Sequence, residues 1–106
     1  METKKQQLKR WREAFRNDCL ERDKGKCIFC GDPAIDAHHI IDRSKMPNGG
    51  YVIHNGASAC GACHVKAELF HDSDGMAWIP GFHPNDIYAK IGSSYEEAVE
   101  ASERLI

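Results

Sequence analysis

The sequence lacks several features that would place it in well-known classes of protein. No apolar run approaches the length of a membrane span, and residues 1–15 have no apolar core of the signal-peptide type. Internal repeats and low-complexity tracts are also missing. With 106 residues and a negative mean hydropathy, the chain is expected to be one small globular domain in the reducing cytoplasm, without a membrane partner.

The chain also lacks the strong positive charge of many DNA-binding domains, since its formal net charge is −2. The charge is unevenly spread: residues 1–26 carry nine Lys or Arg against five Asp or Glu, whereas residues 85–106 carry two against five. The basic end could contact phosphates while the acidic end faces away. Two solvated helix faces explain the same pattern equally well.

Five cysteines stand out in so short a chain, and four of them form two CxxC pairs. Cys27 and Cys30 make the first pair, and Cys60 and Cys63 make the second. Disulfides are rare in a reducing compartment, and two such hooks supply the four thiolates of a closed tetrahedral zinc site. We therefore predict structural Zn²⁺ here, in preference to four buried apolar cysteines, and we assign Cys19 to the core.

Local patterns predict helices on both sides of an inserted pair of strands. Leu8, Trp11, Phe15 and Cys19 recur on one face of a helix predicted over 4–23. The two strands lie between the cysteine hooks, so the zinc would clamp the ends of a hairpin. The other predicted elements are a strand over 34–41, a polar loop over 42–50, a strand over 51–54, a turn at Asn55-Gly56, and helices over 61–71, over 84–91 and from Ser94 onward.

The stretch DAHHII, residues 36–41, is the least expected part of this hairpin. Two adjacent imidazoles between apolar residues are costly to bury unless both find partners. A purely structural zinc ribbon has no use for His38 and His39 together. About thirty residues separate the hooks, more than the roughly fifteen to twenty of the usual ribbon. The extra length therefore indicates chemistry beyond the zinc.

Four segments, in this order, resemble the HNH endonuclease family in its version with a four-cysteine zinc site. The resemblance covers about residues 10–71 and implies an α+β fold, a small ββα-metal (His-Me) finger that is zinc-stapled and flanked by amino- and carboxy-terminal helices. The segments are LERDKGKCIFCG (20–31), AHHII (37–41), NGASAC (55–60) and CGACH (60–64). The implied organisation is a single HNH nuclease domain over 1–106, with a basic amino-terminal helix (1–26), a zinc-clamped ββα core (27–71) and a helical extension (72–106).

The resemblance also implies a role for each motif residue. His39 is implied as the general base that activates water, and His38 and His64 as ligands of a catalytic divalent ion. Asn55 is implied as the residue that holds the general base in place, although Asn before Gly is also an ordinary turn pair. The ion is expected to be Mg²⁺ or Mn²⁺, and histidine-rich sites also tolerate Ni²⁺, Co²⁺ or Zn²⁺.

Four further residues are weaker candidates for this site. Glu68 and His71 follow His64 by four and seven positions on one helix face, so either could add a ligand or a contact behind the ligands. Arg43 and Lys45 follow the histidine pair in the hairpin loop and could contact phosphates, although a solvated loop is nearly as good an interpretation.

The combined pattern predicts a metal-dependent HNH DNA endonuclease or nickase, of phage or mobile-element origin, that hydrolyses phosphodiester bonds. The alternative is a non-catalytic zinc module that binds nucleic acid or protein, which explains the cysteines but not the ordered His and Asn motif. A metal-storage or sensor domain explains the histidines but not Asn55. Residues 72–106 could bind DNA, a protein partner or a second copy of the chain, and the sequence pattern leaves this open.

Overall fold

The computed structural model describes residues 1–106, in which four helices enclose one short antiparallel hairpin. The α+β class and the zinc-stapled ββα finger predicted from the sequence are confirmed. No helix combines the length and the apolar content that crossing a membrane requires. The elements are α1 (Lys4–Arg22), β1 (Asp36–His39), β2 (Gly56–Ala59), α2 (Gly61–Asp72), α3 (Pro84–Ile91) and α4 (Tyr95–Glu103), with 3₁₀ turns at Arg43–Lys45, Pro47–Gly50 and Ile53–Asn55.

Helix α1 begins at a complete capping box and packs one end against the hairpin. Thr3 accepts a hydrogen bond from the Gln6 amide, and the Gln6 side chain accepts one from the Thr3 amide. The predicted helix over 4–23 is thus confirmed to within one residue. Of its predicted apolar face, Phe15 and Cys19 are buried, whereas Leu8 is exposed. The carboxy-terminal half of α1 therefore anchors the helix to the core.

The second strand lies five residues later than the sequence predicts. Residues 51–54 form no strand, and β2 is the small-residue segment Gly56–Ala59, which pairs with β1 in the register His38↔Ala57 and His39↔Gly56. All four residues of β2 are buried. Their small side chains let α1 pack closely over this strand, and this tertiary packing outweighs the low strand propensity of Gly, Ala and Ser.

Asn55-Gly56 is accordingly not a hairpin turn. Asn55 ends a 3₁₀ turn and is fully buried, and Gly56 opens β2. Strand β1 is also shorter than the predicted 34–41, although Ile40 continues the pairing by donating its amide to the Asn55 carbonyl at 2.8 Å. The hairpin connection thus spans residues 40–55, including the three 3₁₀ turns.

The last two helices complete the same core rather than forming a separate layer. Ile87, Tyr88 and Ala98 are buried in one cluster with Ile40 and Ala57 of the finger. Ser94 caps α4 by accepting a hydrogen bond from the Glu97 amide at 3.1 Å, as the sequence pattern predicts. The carboxy-terminal extension therefore supports the finger directly.

An ion pair at the end of α1 fixes the position of β2. The Arg22 guanidinium donates to both oxygens of the Asp23 carboxylate at 2.8 Å, and also to the backbone carbonyls of Ile53 and Gly56. Asp23 in turn accepts a hydrogen bond from the Ser58 amide at 3.1 Å. Two adjacent side chains thus tie α1 to both sides of Asn55.

Candidate active site

Four thiols converge in a geometry that fits a tetrahedral zinc site. The sulfur atoms of Cys27, Cys30, Cys60 and Cys63 all lie within 4.8 Å of one another, and none forms a disulfide. The Cys30 and Cys60 sulfurs are 3.7 Å apart. A tetrahedron built on Zn–S bonds of about 2.3 Å has edges of about 3.8 Å, so this spacing matches four thiolates around one ion.

Backbone amides favour the thiolate form of Cys27, whereas burial raises the pKa of Cys63. Burial raises the pKa of Cys27, but amides of Cys60, Cys30 and Phe29 outweigh it and lower that pKa to about 6. Cys60 is the N-cap of α2. The cluster therefore joins the turn before β1 to the start of α2, where a bound ion would clamp both ends of the hairpin.

A second group of potential ligands lies between β1 and α2. The Glu68 carboxylate oxygen Oε1 accepts hydrogen bonds from His38 Nδ1 at 3.1 Å and from His64 Nε2 at 3.0 Å. These three side chains offer ligand atoms that all lie within 4.8 Å of one another. An octahedron with metal–ligand bonds of about 2.1 Å has edges of about 3.0 Å, so the donor atoms fit one divalent ion.

The charges within this group are strongly coupled. Hydrogen bonds from His38 and His64 hold the pKa of Glu68 far below its ordinary value, so its carboxylate is ionised. The hydrogen bond to Glu68 raises the pKa of His64, whereas burial lowers the pKa of His38. One carboxylate and two imidazoles are a donor set that suits divalent transition metals.

His39 lies on the opposite side of β1 from His38, as the alternation of a strand requires. Its ring stacks on Phe15 of α1, with centroids 4.3 Å apart, and meets Tyr51 edge-on at 5.1 Å. Burial, with a smaller contribution from His38, lowers its pKa to about 4. Its buried Nε2 makes no hydrogen bond with any protein group. His39 is therefore neutral at pH 7, with an unpartnered nitrogen.

His71 holds the backbone at His39. His71 Nε2 donates to the His39 carbonyl at 2.8 Å, and the His71 ring stacks on His38 at 5.2 Å. His71 is not part of the three-residue ligand group formed by His38, His64 and Glu68. The structure thus places it against the backbone of the histidine pair.

Asn55 braces the same backbone from behind. Its side chain accepts a hydrogen bond from the Ile41 amide and donates one to the Ile41 carbonyl, both at 3.0 Å. It also donates to the Gly50 carbonyl at 3.4 Å and accepts from the Tyr88 hydroxyl at 2.9 Å. The amide therefore spans the hairpin connection two residues after His39.

His39, His64, Glu68 and His71 open onto one cleft of about 310 Å³ between α1 and α2. Three arginines, Arg12, Arg16 and Arg43, line the same cleft. Arg43 was a candidate on sequence grounds, whereas Arg12 and Arg16 were not, although their i,i+4 spacing on one basic helix was a signal. Lys45 does not line this cleft and instead pairs with Asp74 at 3.0 Å.

Comparison with known proteins gives one match. The family model described as HNH endonuclease matches residues 18–68, which include both cysteine pairs, the histidine pair, Asn55 and His64. No curated protein and no solved structure matches the chain. The matched segment contains the last turn of α1, the whole hairpin and the first two thirds of α2.

Proposed function

We propose that this chain, which carries an HNH endonuclease domain over residues 18–68, is a metal-dependent DNA endonuclease or nickase that hydrolyses phosphodiester bonds. One observation carries the proposal. His64 and Glu68, which form a three-residue ligand group with the buried His38, open onto the same arginine-lined cleft as the half-buried imidazole of His39. Phosphodiester hydrolysis needs this combination, because water must lose a proton while the phosphate gains negative charge.

The first part of the mechanism is the binding of a divalent ion. His38, His64 and Glu68 would hold it, since they supply three donor atoms with mutual spacing suited to one ion. When bound, the ion would neutralise charge on the phosphate and on the leaving oxygen. The chain's contribution is the fixed geometry of the ligands, because His38 is fully buried and Glu68 contacts both imidazoles.

His39 is the proposed general base. Its imidazole is neutral at pH 7 and lines the cleft. Because Nε2 is buried, the other ring nitrogen, Nδ1, is the one that can accept a proton from water there. A docked phosphate carries negative charge, which favours the protonated imidazole and raises its basicity during the reaction. Phe15 and Tyr51 restrict the ring, while Asn55 and His71 hold the backbone that carries it.

The test is cleavage of supercoiled plasmid in Mg²⁺ or Mn²⁺. We expect nicked or linear product from the wild type and a loss of at least about a hundredfold in His39→Ala, the range that general bases contribute. His83→Asn is the matched control, since His83 lies outside the cleft and asparagine keeps its N-cap role. Zinc content of both variants should equal that of the wild type, and both should unfold in one cooperative transition well above the assay temperature, with His39→Ala less stable because it loses its packing on Phe15.

Two other results would change the assignment. Plasmid binding without cleavage across Mg²⁺, Mn²⁺, Ni²⁺ and Co²⁺ would favour the non-catalytic zinc module. If His39→Ala still cleaves plasmid at the wild-type rate, His39 is not the general base. A source in a phage or mobile element, and a DNA rather than RNA substrate, stay predictions that rest on the family.

A further inference from the structure

Two of the six arginines differ from the rest in having no acidic partner. Arg10, Arg16, Arg22 and Arg104 each lie within 4.0 Å of a carboxylate oxygen. Arg12 and Arg43 form no ion pair and no side-chain hydrogen bond, and both are exposed. Both line the active cleft. The unneutralised guanidinium groups of the chain are thus concentrated beside the reacting groups.

The same two arginines line a second groove that adjoins the cleft. This groove has a volume of about 490 Å³. Leu8 and Trp11 of α1 form one wall, and Tyr51, with Asn48 and Gly49 of the hairpin connection, forms the other. Arg12, Arg43 and Tyr51 are common to the linings of the cleft and of the groove. A strand leaving the cleft in this direction therefore passes between Arg12 and Arg43.

We propose that Arg12 and Arg43 grip the phosphate next to the scissile one, and that the adjoining groove receives the neighbouring nucleotide of a single or locally unpaired DNA strand. This inference rests on the proposed nuclease function, because it assigns a direction to the strand in that site. The groove combines positive charge at its entrance with an indole on its wall. These are the two features by which proteins bind unpaired strands, charge for the backbone and an aromatic face for the base.

Paired bases offer less to this groove. A base in a duplex is stacked on its neighbours, so its face is not free to contact Trp11. Arg12 can contact phosphates of either form, since phosphate contacts carry no information about pairing. Trp11 should therefore give a preference for unpaired DNA, whereas Arg12 and Arg43 should bind paired and unpaired DNA alike.

The first experiment measures binding without cleavage. Fluorescein-labelled single-stranded DNA of mixed sequence is titrated into His39→Ala protein by fluorescence anisotropy at several salt concentrations. Arg12→Gln and Arg43→Gln, each in that background, should weaken binding about five- to twentyfold. Each should also reduce the slope of log affinity against log salt by about 0.7. Arg104→Gln is the matched control, because Arg104 is paired with Glu100 and lies outside both the cleft and the groove.

The second experiment uses the fluorescence of Trp11 to detect a base in the groove. The chain has two tryptophans, so Trp78→Phe leaves Trp11 as the only indole. Single-stranded DNA should quench the fluorescence of Trp11, and a duplex of the same sequence should quench it much less. Trp11→Leu keeps an apolar side chain at this position of α1, against the cluster that contains Phe15 and Tyr51, and should weaken binding of the single strand more than binding of the duplex.

The third experiment separates this inference from the nuclease assignment. Bis(p-nitrophenyl) phosphate has no neighbouring nucleotide. Trp11→Leu, at a residue that lines the groove but not the cleft, should therefore hydrolyse it with the same kcat/KM as the wild type while losing cleavage of single-stranded DNA. Binding that is unchanged in both arginine variants, or an unquenched Trp11, would overturn the inference even if plasmid is cleaved. If the arginine variants bind DNA more weakly but the wild type cleaves no DNA, the phosphate contacts of Arg12 and Arg43 are supported. The nuclease function is then wrong.

Discussion

Tyr88 donates its hydroxyl hydrogen to Oδ1 of Asn55 across 2.9 Å, and this bond joins the carboxy-terminal extension to the centre of the finger. Both side chains are buried. Burial raises the pKa of Tyr88 far above its ordinary value, so the phenol stays protonated and remains a donor. Because Asn55 also bonds to the Ile41 backbone, α3 helps to hold the segment that follows His39.

We expect Tyr88→Phe to lower activity more than stability. The substitution keeps the ring and removes one buried hydrogen bond, which should cost about 1 to 2 kcal/mol of unfolding free energy. Asn55 keeps its bonds to Ile41 but can rotate more freely, so plasmid cleavage should fall about three- to tenfold through kcat, with KM unchanged. Urea unfolding and steady-state kinetics measure the two effects. Equal kcat in Tyr88→Phe and wild type would show that α3 does not position the site.

Removal of one thiol should destabilise the whole finger. Purified protein should contain about one tightly held zinc per chain, and Cys27→Ser should lose it together with several kcal/mol of stability. Cys19→Ala is the matched control, because Cys19 is a buried thiol of α1 that belongs to no ligand group, and alanine leaves no unpaired polar atom there. Metal analysis and thermal unfolding give the readouts. A Cys27→Ser protein that unfolds like the wild type would contradict the zinc staple.

The second metal site should prefer transition metals to Mg²⁺. Two imidazoles in a set of three donors favour Mn²⁺, Co²⁺, Ni²⁺ or Zn²⁺, whereas Mg²⁺ prefers oxygen ligands. Glu68→Gln keeps the size of the side chain and removes the anionic ligand, so it should weaken Mn²⁺ binding about ten- to a hundredfold. Asp72→Asn, on an exposed part of the same helix, should leave it unchanged. Isothermal titration of zinc-loaded protein measures both.

Protons should compete with the metal for His64. The hydrogen bond to Glu68 raises the pKa of His64, so a larger share of this imidazole is protonated near neutral pH than for a free histidine. A ligand must be neutral, so Mn²⁺ affinity should rise with pH until that raised pKa is passed and then level off. Titrations in two buffers of different ionisation enthalpy count the proton released. Affinity that is flat from pH 6 to 8 would contradict this coupling.

The sequence predicted the parts of the molecule that local patterns determine. The two cysteine pairs, α1 with its buried Phe15 and the capped helix α4 follow from spacing and capping, and the structure has them in those places. The resemblance to the HNH family implied that His38 and His64 lie together, and the structure brings their ligand atoms within 4.8 Å of each other. Each of these predictions requires only the pattern of neighbouring residues or a known arrangement of ligands.

Where a feature depends on tertiary packing, the prediction from the sequence was wrong or was not made. The apolar segment at 51–54 has higher strand propensity than Gly56–Ala59, but only the small residues fit beneath α1. The Arg22–Asp23 pair resembles an ordinary charged helix end, and its contacts to Ile53 and Ser58 depend on residues more than thirty positions away. Local sequence carries no signal for contacts of this kind.

Gly56 offers a direct test of the packing that places His39. Its φ of −130° is an extended conformation that any residue adopts, so its backbone does not require glycine. A Cβ at this position would lie 2.6 Å from Cε1 of Phe15 and would also overlap the Cys19 sulfur. Gly56→Ala must therefore displace Phe15, which stacks on His39, and should cost about 1 to 3 kcal/mol of stability as well as cleavage activity.

A double variant separates these two effects. Phe15→Leu in the Gly56→Ala background shortens one of the two side chains that clash with the added methyl group, the other being Cys19, so the double variant should be more stable than the sum of the two single changes predicts. Its cleavage activity should stay low, because leucine cannot stack on His39. Gly56→Ser is no substitute for alanine here, since its hydroxyl would need a partner in a fully buried strand. If Gly56→Ala cleaves plasmid like the wild type, contact with Phe15 does not position the general base, and Asn55 and His71 must suffice to hold it.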